Sequence, residues 1–317
     1  MKGVPTVSLT INACLTDSPF LEKALRHIFR SLNYPFTERL IAVDKSMPEG
    51  GFLKRERDNE VRLMQILERL QSENLFDRID EVPWSQESQT HIFQKYFNQQ
   101  NVDPRCSHGT AVYQYLFALN QCKSDYILHV DSDVLFSLCN GPTWIQEGID
   151  WMQENPDVIF VTPMHPPKAE TILEFLLGKP LNRVKQKWIF SQVVSTRYFL
   201  ADRVRMEERL LPLIQKDASE RLEQSFNRTL KAKKLFKSTL NTLDSWVIHP
   251  KPHNRNYINH LDTLIWAAEN HTYPFRRYGK YPWNLYTYTL HIRQWIRAVN
   301  KLQRATGVQS QLNASDP

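Results

Sequence analysis

The run Tyr126-Ile127-Leu128-His129-Val130-Asp131-Ser132-Asp133-Val134-Leu135-Phe136 limits most strongly what this chain can fold into. Its β-branched and aromatic residues read as a buried strand, and the Asp-Ser-Asp falls where such a strand leaves its sheet. In an open α/β sheet, ligands bind in the crevice beyond the carboxyl ends of the strands. Two hard oxygen ligands at that place suit Mg²⁺ or Mn²⁺ holding a diphosphate, because such ions complete a small carboxylate set with phosphate oxygens and water. The competing reading makes Asp131 the start of a turn and Asp133 a cap, roles both residues commonly play. Asp-x-Asp is too short to decide between them, so the surrounding pattern must.

That pattern alternates strands with helices. Thr6 to Ala13 reads as a strand. Ser18-Pro19 then supplies a helix N-cap and first-turn proline for an apolar face of Leu21, Ala24, Leu25, Ile28, Phe29 and Leu32. Arg39 to Asp44 is a second strand ending in a carboxylate, Lys54 to about Leu70 an amphipathic helix, and Arg78 to Pro83 a third strand. The Gln-rich stretch from Ser85 to Asp103 reads as a loop with a partial helix, and Gly109 to Asn120 as a helix feeding the Asp-Ser-Asp strand. A helix over Thr143 to Glu154 and a strand over Val158 to Pro163 follow. Beyond Pro163 prolines interrupt the pattern. Gln192 to Asp202 is strand-like, Arg203 to Ser238 is charged and helical, and Trp246 to His249 is the last strand candidate. The order implies an α/β fold with a mostly parallel central sheet flanked by helices.

Composition narrows the function. With 317 residues, 41% hydrophobic and 23% charged, the chain can bury a substantial core. No apolar run reaches the ~20 residues a bilayer crossing needs, and the N-terminus lacks a signal-peptide core, so a cytoplasmic location is expected. The four cysteines Cys14, Cys106, Cys122 and Cys139 form no Cys-x-x-Cys pair, which argues against a zinc site or a disulfide framework. None of the nine glycines belongs to a dinucleotide fingerprint or a P-loop. Without backbone amides to cradle it, a phosphate would need a metal. The net charge of +6 and pI near 9.0 suit an anionic partner. The cations are interspersed with acids and no aromatic RNA-binding strand occurs, so nucleic acid is not the expected partner.

On three landmarks the chain resembles a family 2 glycosyltransferase of the GT-A fold. They are Val7-Ser8-Leu9-Thr10-Ile11 in the first strand, Ile41-Ala42-Val43-Asp44 in the second, and the strand running into Asp131-Ser132-Asp133. The resemblance covers about residues 5 to 165. It implies a Rossmann-like GT-A half over residues 1–165 that binds the nucleotide sugar. Residues 166–317 would be an acceptor half with C-terminal helices, both in one continuous catalytic domain. Site residues follow from it: Ala13, Asp44 and Gly109 on the nucleotide, Asp131 on ribose or metal, and Asp133 on a Mn²⁺ or Mg²⁺ ion bridging the diphosphate. Some enzymes of this fold take a further metal ligand from a histidine late in the chain, which points to His249, with His253 and His260 behind it. The chain departs from the family where Pro-x-Tyr-Asn is Asn12-Ala13-Cys14-Leu15, and where Ala-Arg-Asn is Gln114-Tyr115-Leu116. An arginine contact must come from elsewhere.

The resemblance thus implies transfer of a sugar from a nucleotide-diphosphate sugar to a small-molecule, lipid or glycan hydroxyl, with inversion. Inversion needs a carboxylate to take the acceptor proton. Asp244 is the first candidate and Asp202 the second, with Glu207 and Glu208 behind; for Asp202 a helix-capping role competes. The mixed cations and aromatics of Arg276 to Trp283 and beyond fit a peripheral membrane patch, a lid over the diphosphate, or a solvated helix face. Two other functions stay open at this stage. Nucleotidyl transfer lacks its Gly-rich basic loop here, and a non-catalytic polyanion-binding protein would bind with a steep salt dependence.

Overall fold

The computed structural model describes residues 4–47, 60–138, 143–165, 186–242, 244–251, 253, 255–270, 284–286 and a few positions between 296 and 304. An eight-stranded sheet forms its centre, built of β1 (Val7–Cys14), β2 (Glu38–Asp44), β3 (Arg78–Glu81), β4 (Tyr126–Asp131), β6 (Val158–Pro163), β7 (Trp188–Ser191), β8 (Tyr198–Asp202) and β9 (Phe236–Leu240) in the order 3-2-1-4-8-6-9-7. Pairs 1-2, 2-3, 1-4 and 6-9 are parallel; pairs 4-8, 6-8 and 7-9 are antiparallel. Six strands therefore share one direction, and β7 and β8 run against them. The α/β architecture expected from the sequence is the one found.

Helices cover both faces because successive strand residues point to opposite sides. One face buries Leu9, Ile11, Val130 and Leu200 beneath α1 (Leu21–Leu32), α2 (Glu60–Ser72) and α5 (Trp144–Glu154). The other buries Ile127, Phe160 and Phe199 beneath α3 (Gln86–Phe97), α4 (Val112–Gln121) and α6 (Leu222–Ala232). A smaller core joins Phe20, Leu135, Trp246 and Ile248 to α7 (Arg255–Glu269). There β5 (Leu135–Phe136) pairs antiparallel with β10 (Val247–Lys251), which also pairs with β11 (Asn284–Tyr286).

Several expectations are corrected. The stretch after Ser85 is not chiefly loop. Its side chain caps α3 by accepting from the Ser88 N–H, and Ile92, Phe93, Tyr96 and Phe97 form a buried face among good helix-forming glutamines. Ser18 is no N-cap: its hydroxyl donates to the Leu15 carbonyl within a turn, and α1 starts after Phe20. The charged region from Arg203 is not one helix. A turn at Arg203–Arg205 widens over Met206–Leu210 and stops at Pro212, which cannot donate to a continuing helix, and the alternating residues of β9 pair with β6. Among the described residues no helix is long and apolar enough to cross a membrane. The basic-aromatic stretch of residues 276–283 lies outside the described residues.

Candidate active site

Parallel register brings the carboxyl ends of the first strands to one rim. Cys14 of β1 stands opposite Asp44 of β2, and Asn12 opposite Asp131 of β4. A solvent-open cleft lies over this rim. Of the sequence-derived residues, Ala13, Asp44, Gly109, Asp131, Asp133 and His249 all line it.

At one end, Asp44 is held from several sides. Its Oδ1 accepts from the Ser46 N–H at 2.8 Å and the Trp84 indole at 3.0 Å, and its Oδ2 pairs with Arg105 at 2.9 Å. The Arg105 guanidinium also stacks 4.9 Å from the Trp84 ring centre and donates to the Gly109 carbonyl. Gly109 adopts φ 84°, a left-handed conformation that a side chain would strain. Gln114, where the family has another residue, donates its amide to the Ala13 and Ala42 carbonyls and so locks the ends of β1 and β2 together.

At the centre, the two aspartates of the motif part company. Asp131 accepts the Tyr115 hydroxyl on both oxygens at 2.8 Å, while Asp133 groups with His249 and His253. Burial, reinforced by the Asp131 charge, keeps that phenol protonated far above its ordinary value. Asp133 meets His249 because antiparallel pairing of β5 with β10 sets Ile248 opposite Leu135, and the next step of that register brings His249 back toward Asp133. His253 precedes α7, its ring against Phe20 and Tyr257.

Asp133, His249 and His253 are 7%, 4% and 5% exposed and offer ligand atoms within 4.8 Å of one another. His249 Nε2 lies 3.0 Å from Asp133 Oδ2, and His253 Nε2 lies 2.9 Å from the same oxygen. The His253 contact lacks hydrogen-bond alignment, and both His253 nitrogens and Asp133 Oδ1 are buried without a hydrogen-bond partner among the described residues. Such groups cost free energy unless something else satisfies them. Neighbouring ligands of a six-coordinate ion with bonds of about 2.1 Å stand about 3.0 Å apart, so the donor set fits a cation. Burial opposes the Asp133 charge, but the two imidazoles, His249 foremost, hold the carboxyl well below the usual range. Burial also lowers His249, with Asp133 partly opposing, which favours the neutral imidazole a metal requires.

Beyond this cluster, Thr196, Arg197 and Glu223 complete the wall. The guanidinium of Arg197 is opposed by burial but held charged by Asp131 and Asp133, with Tyr115 and Glu223 contributing less. Cys14 lines the cleft as an inert thiol, pushed far up by burial and by Asp17.

Neither carboxylate first expected to act as base lies here. Asp202 stands opposite Tyr126, at the far end of β4 from Asp131, because β8 runs antiparallel; there it caps the following turn and pairs with Arg205 at 3.1 Å. Asp244 is exposed and does not line the cleft. Glu207 pairs with Lys95 and Arg203 at the surface.

No protein-family model matches the chain, and a comparison with curated proteins gives no match. Solved structures do resemble it in fold. The mannosyltransferase PcManGT from Pyrobaculum calidifontis, in complex with GDP-Man and Mn²⁺, is 14% identical with a TM-score of 0.44, covering 100% of this chain and 77% of that one. Glucosyl-3-phosphoglycerate synthase from Mycobacterium tuberculosis, in complex with Mn²⁺, UDP and glucosyl-3-phosphoglycerate, is 12% identical with a TM-score of 0.39, covering 83% and 78%. For S. aureus TarS 1-349 the values are 12%, 0.43, 83% and 65%, so the chain spans just under two thirds of that protein.

Proposed function

We propose that this chain is a metal-dependent glycosyltransferase that moves a sugar from a nucleotide-diphosphate sugar to a hydroxyl acceptor. One observation carries the reading: a buried Asp-His-His donor set with unsatisfied polar atoms borders the same cleft as the buried Asp44 and its partner Arg105. Asp133, His249 and His253 would hold the ion, and two nitrogen donors favour Mn²⁺ over Mg²⁺. When bound, the ion supplies Lewis-acid neutralisation of the charge that develops on the departing diphosphate.

The chain's own groups account for the rest. Asp44, aligned by Trp84, Ser46 and Arg105, accepts from the N–H donors of a nucleobase. Tyr115 fixes both oxygens of Asp131 so that its remaining lone pairs can meet the ribose hydroxyls. Arg197 adds a fixed positive charge beside Asp131 and Asp133, where negative charge accumulates, and supplies the arginine absent from α4. Residues 1–165 then form the donor half, while His249 and His253 bring the later part of the chain to the same ion.

The test is thermal stability with UDP, GDP and their hexose conjugates, with and without Mn²⁺, since a ligand bound only by the native state raises the midpoint. Stabilisation by at least one of them that requires Mn²⁺ and is lost in Asp133→Ala is expected. A panel that shifts neither protein refutes the reading.

A further inference from the structure

The cleft wall contains five carboxylates among the described residues: Asp17, Asp44, Asp131, Asp133 and Glu223. Four are committed. Asp17 accepts from the Cys14 N–H at 2.9 Å and from the Ser132 hydroxyl at 2.8 Å. Asp44 is held by Ser46, Trp84 and Arg105 for the nucleobase, and Asp131 by Tyr115 for the ribose. Asp133 belongs to the histidine cluster.

Glu223 differs from all of them. It sits half-buried in the first turn of α6. Its Oε1 accepts the buried Thr196 hydroxyl at 2.9 Å, which orients the group, while its Oε2 has no hydrogen-bond partner among the described residues. The charge of Arg197 lies within range of Glu223 and of Asp131 and Asp133 together, so the glutamate belongs to the same polar wall as the metal cluster without joining it.

We propose that Glu223 is the general base of the transfer, and that the reaction inverts the anomeric carbon. This rests on the glycosyltransferase reading above. The acceptor hydroxyl gives its proton to Glu223 Oε2 as its oxygen lone pair forms the new bond to the anomeric carbon. The bond from that carbon to the diphosphate oxygen breaks, and its electron pair leaves with the nucleoside diphosphate. Glu223 ends protonated, and the single displacement requires attack from the face opposite the leaving group. Thr196 is a positioning residue that keeps one carboxylate oxygen occupied and the other aimed into the cleft.

The experiment uses water as the acceptor. The full chain is incubated with Mn²⁺ and a panel of UDP- and GDP-hexoses, nucleotide release is timed, and the anomer of the freed sugar is read by proton NMR before it equilibrates. Glu223→Gln keeps an acceptor for Thr196 but cannot take a proton. The wild type is expected to release the inverted anomer. The variant should be slower by about 10²–10⁴-fold and lose the acidic limb of the pH profile, while its Mn²⁺-dependent thermal shift with UDP or GDP stays intact. Glu223→Gln turnover within threefold of wild type, or release of the retained anomer, overturns the base assignment and leaves the transfer reading standing. A wild type that hydrolyses none of the donors also overturns it. If that protein shows no Mn²⁺-dependent stabilisation by nucleotide either, the transfer reading falls with it.

Discussion

Replacing His253 by alanine separates the proposed metal site from the fold around it. His253 is one of three protein donors in the cluster, and its ring also packs against Phe20 and Tyr257 at 5.1 and 5.2 Å. The variant therefore melts lower than wild type whatever the metal does, and the informative quantity is the increment that manganese adds to each protein. At a manganese concentration 100 times the wild-type Kd, binding to the native state contributes about 2.7 kcal/mol. Loss of one of three donors, taken to weaken affinity about 100-fold, leaves about 0.4 kcal/mol at the same concentration. The difference of about 2.3 kcal/mol corresponds to a manganese increment smaller by roughly 3–4 °C for a chain of 317 residues. Differential scanning fluorimetry on wild type and variant, each with and without Mn²⁺, reads it directly. His260→Ala, on α7 but outside the cluster, should keep the whole increment. A His253→Ala protein that also keeps it refutes the ligand assignment.

Three other outcomes follow from the packing. Arg105→Met leaves the buried Asp44 carboxylate without its ion partner, which should cost about 1.5–3 kcal/mol in urea unfolding and remove stabilisation by nucleotide; an unchanged midpoint would count against the pairing. A Cβ at Gly148 would meet Val161 Cγ1 at 2.9 Å and Leu200 Cδ2 at 3.1 Å. Gly148→Ala should therefore lose about 1 kcal/mol net, overpacking of roughly 2 against a helix gain near 1, and a stabilised variant would refute this. His27 is buried with its imidazole pushed below the ordinary value, while the unfolded chain titrates near 6.5, so the unfolded state takes up the proton first as pH falls. Its contribution is intact above about pH 6.5 and declines below it by up to about 1.4 kcal/mol per pH unit; His27→Gln should flatten the slope between pH 7 and 5, and an unaltered slope refutes the assignment.

The parts of the site legible in the sequence are those written contiguously. Asp44 and Asp133 each follow an apolar strand run, and strand ends in a parallel sheet converge on one rim whatever the rest of the chain does. His249 could be reached because it closes a short apolar run. Arg105, Tyr115, Arg197 and Glu223 could not, since each sits on a loop or helix of its own and meets the others only through packing. The nearest sequence signal was Ser195-Thr196-Arg197 immediately ahead of a strand.

Asp202 shows the limit most clearly. A buried strand pattern reports burial but not direction. Asp131 and Asp202 both end such patterns, yet antiparallel pairing of β4 with β8 sends them to opposite edges of the sheet. The Asp-Ser-Asp pair shows another limit. Neighbouring carboxylates in the chain looked like joint ligands, whereas a tyrosine from α4 claims one, and a histidine of β10 and another just beyond it surround the other. The stretch over α3 was obscured because its apolar residues are few and set among glutamines, although their spacing is helical.

The reversed β8 also decides which piece of chain borders the cleft. Because that strand is entered from the cleft side, Thr196 and Arg197 lie on the incoming connection, upstream of the first ladder pair between Tyr198 and Val130. Substitution of those two side chains would remodel the pocket beside Glu223 while leaving the backbone ladder of β8 with β4 alone.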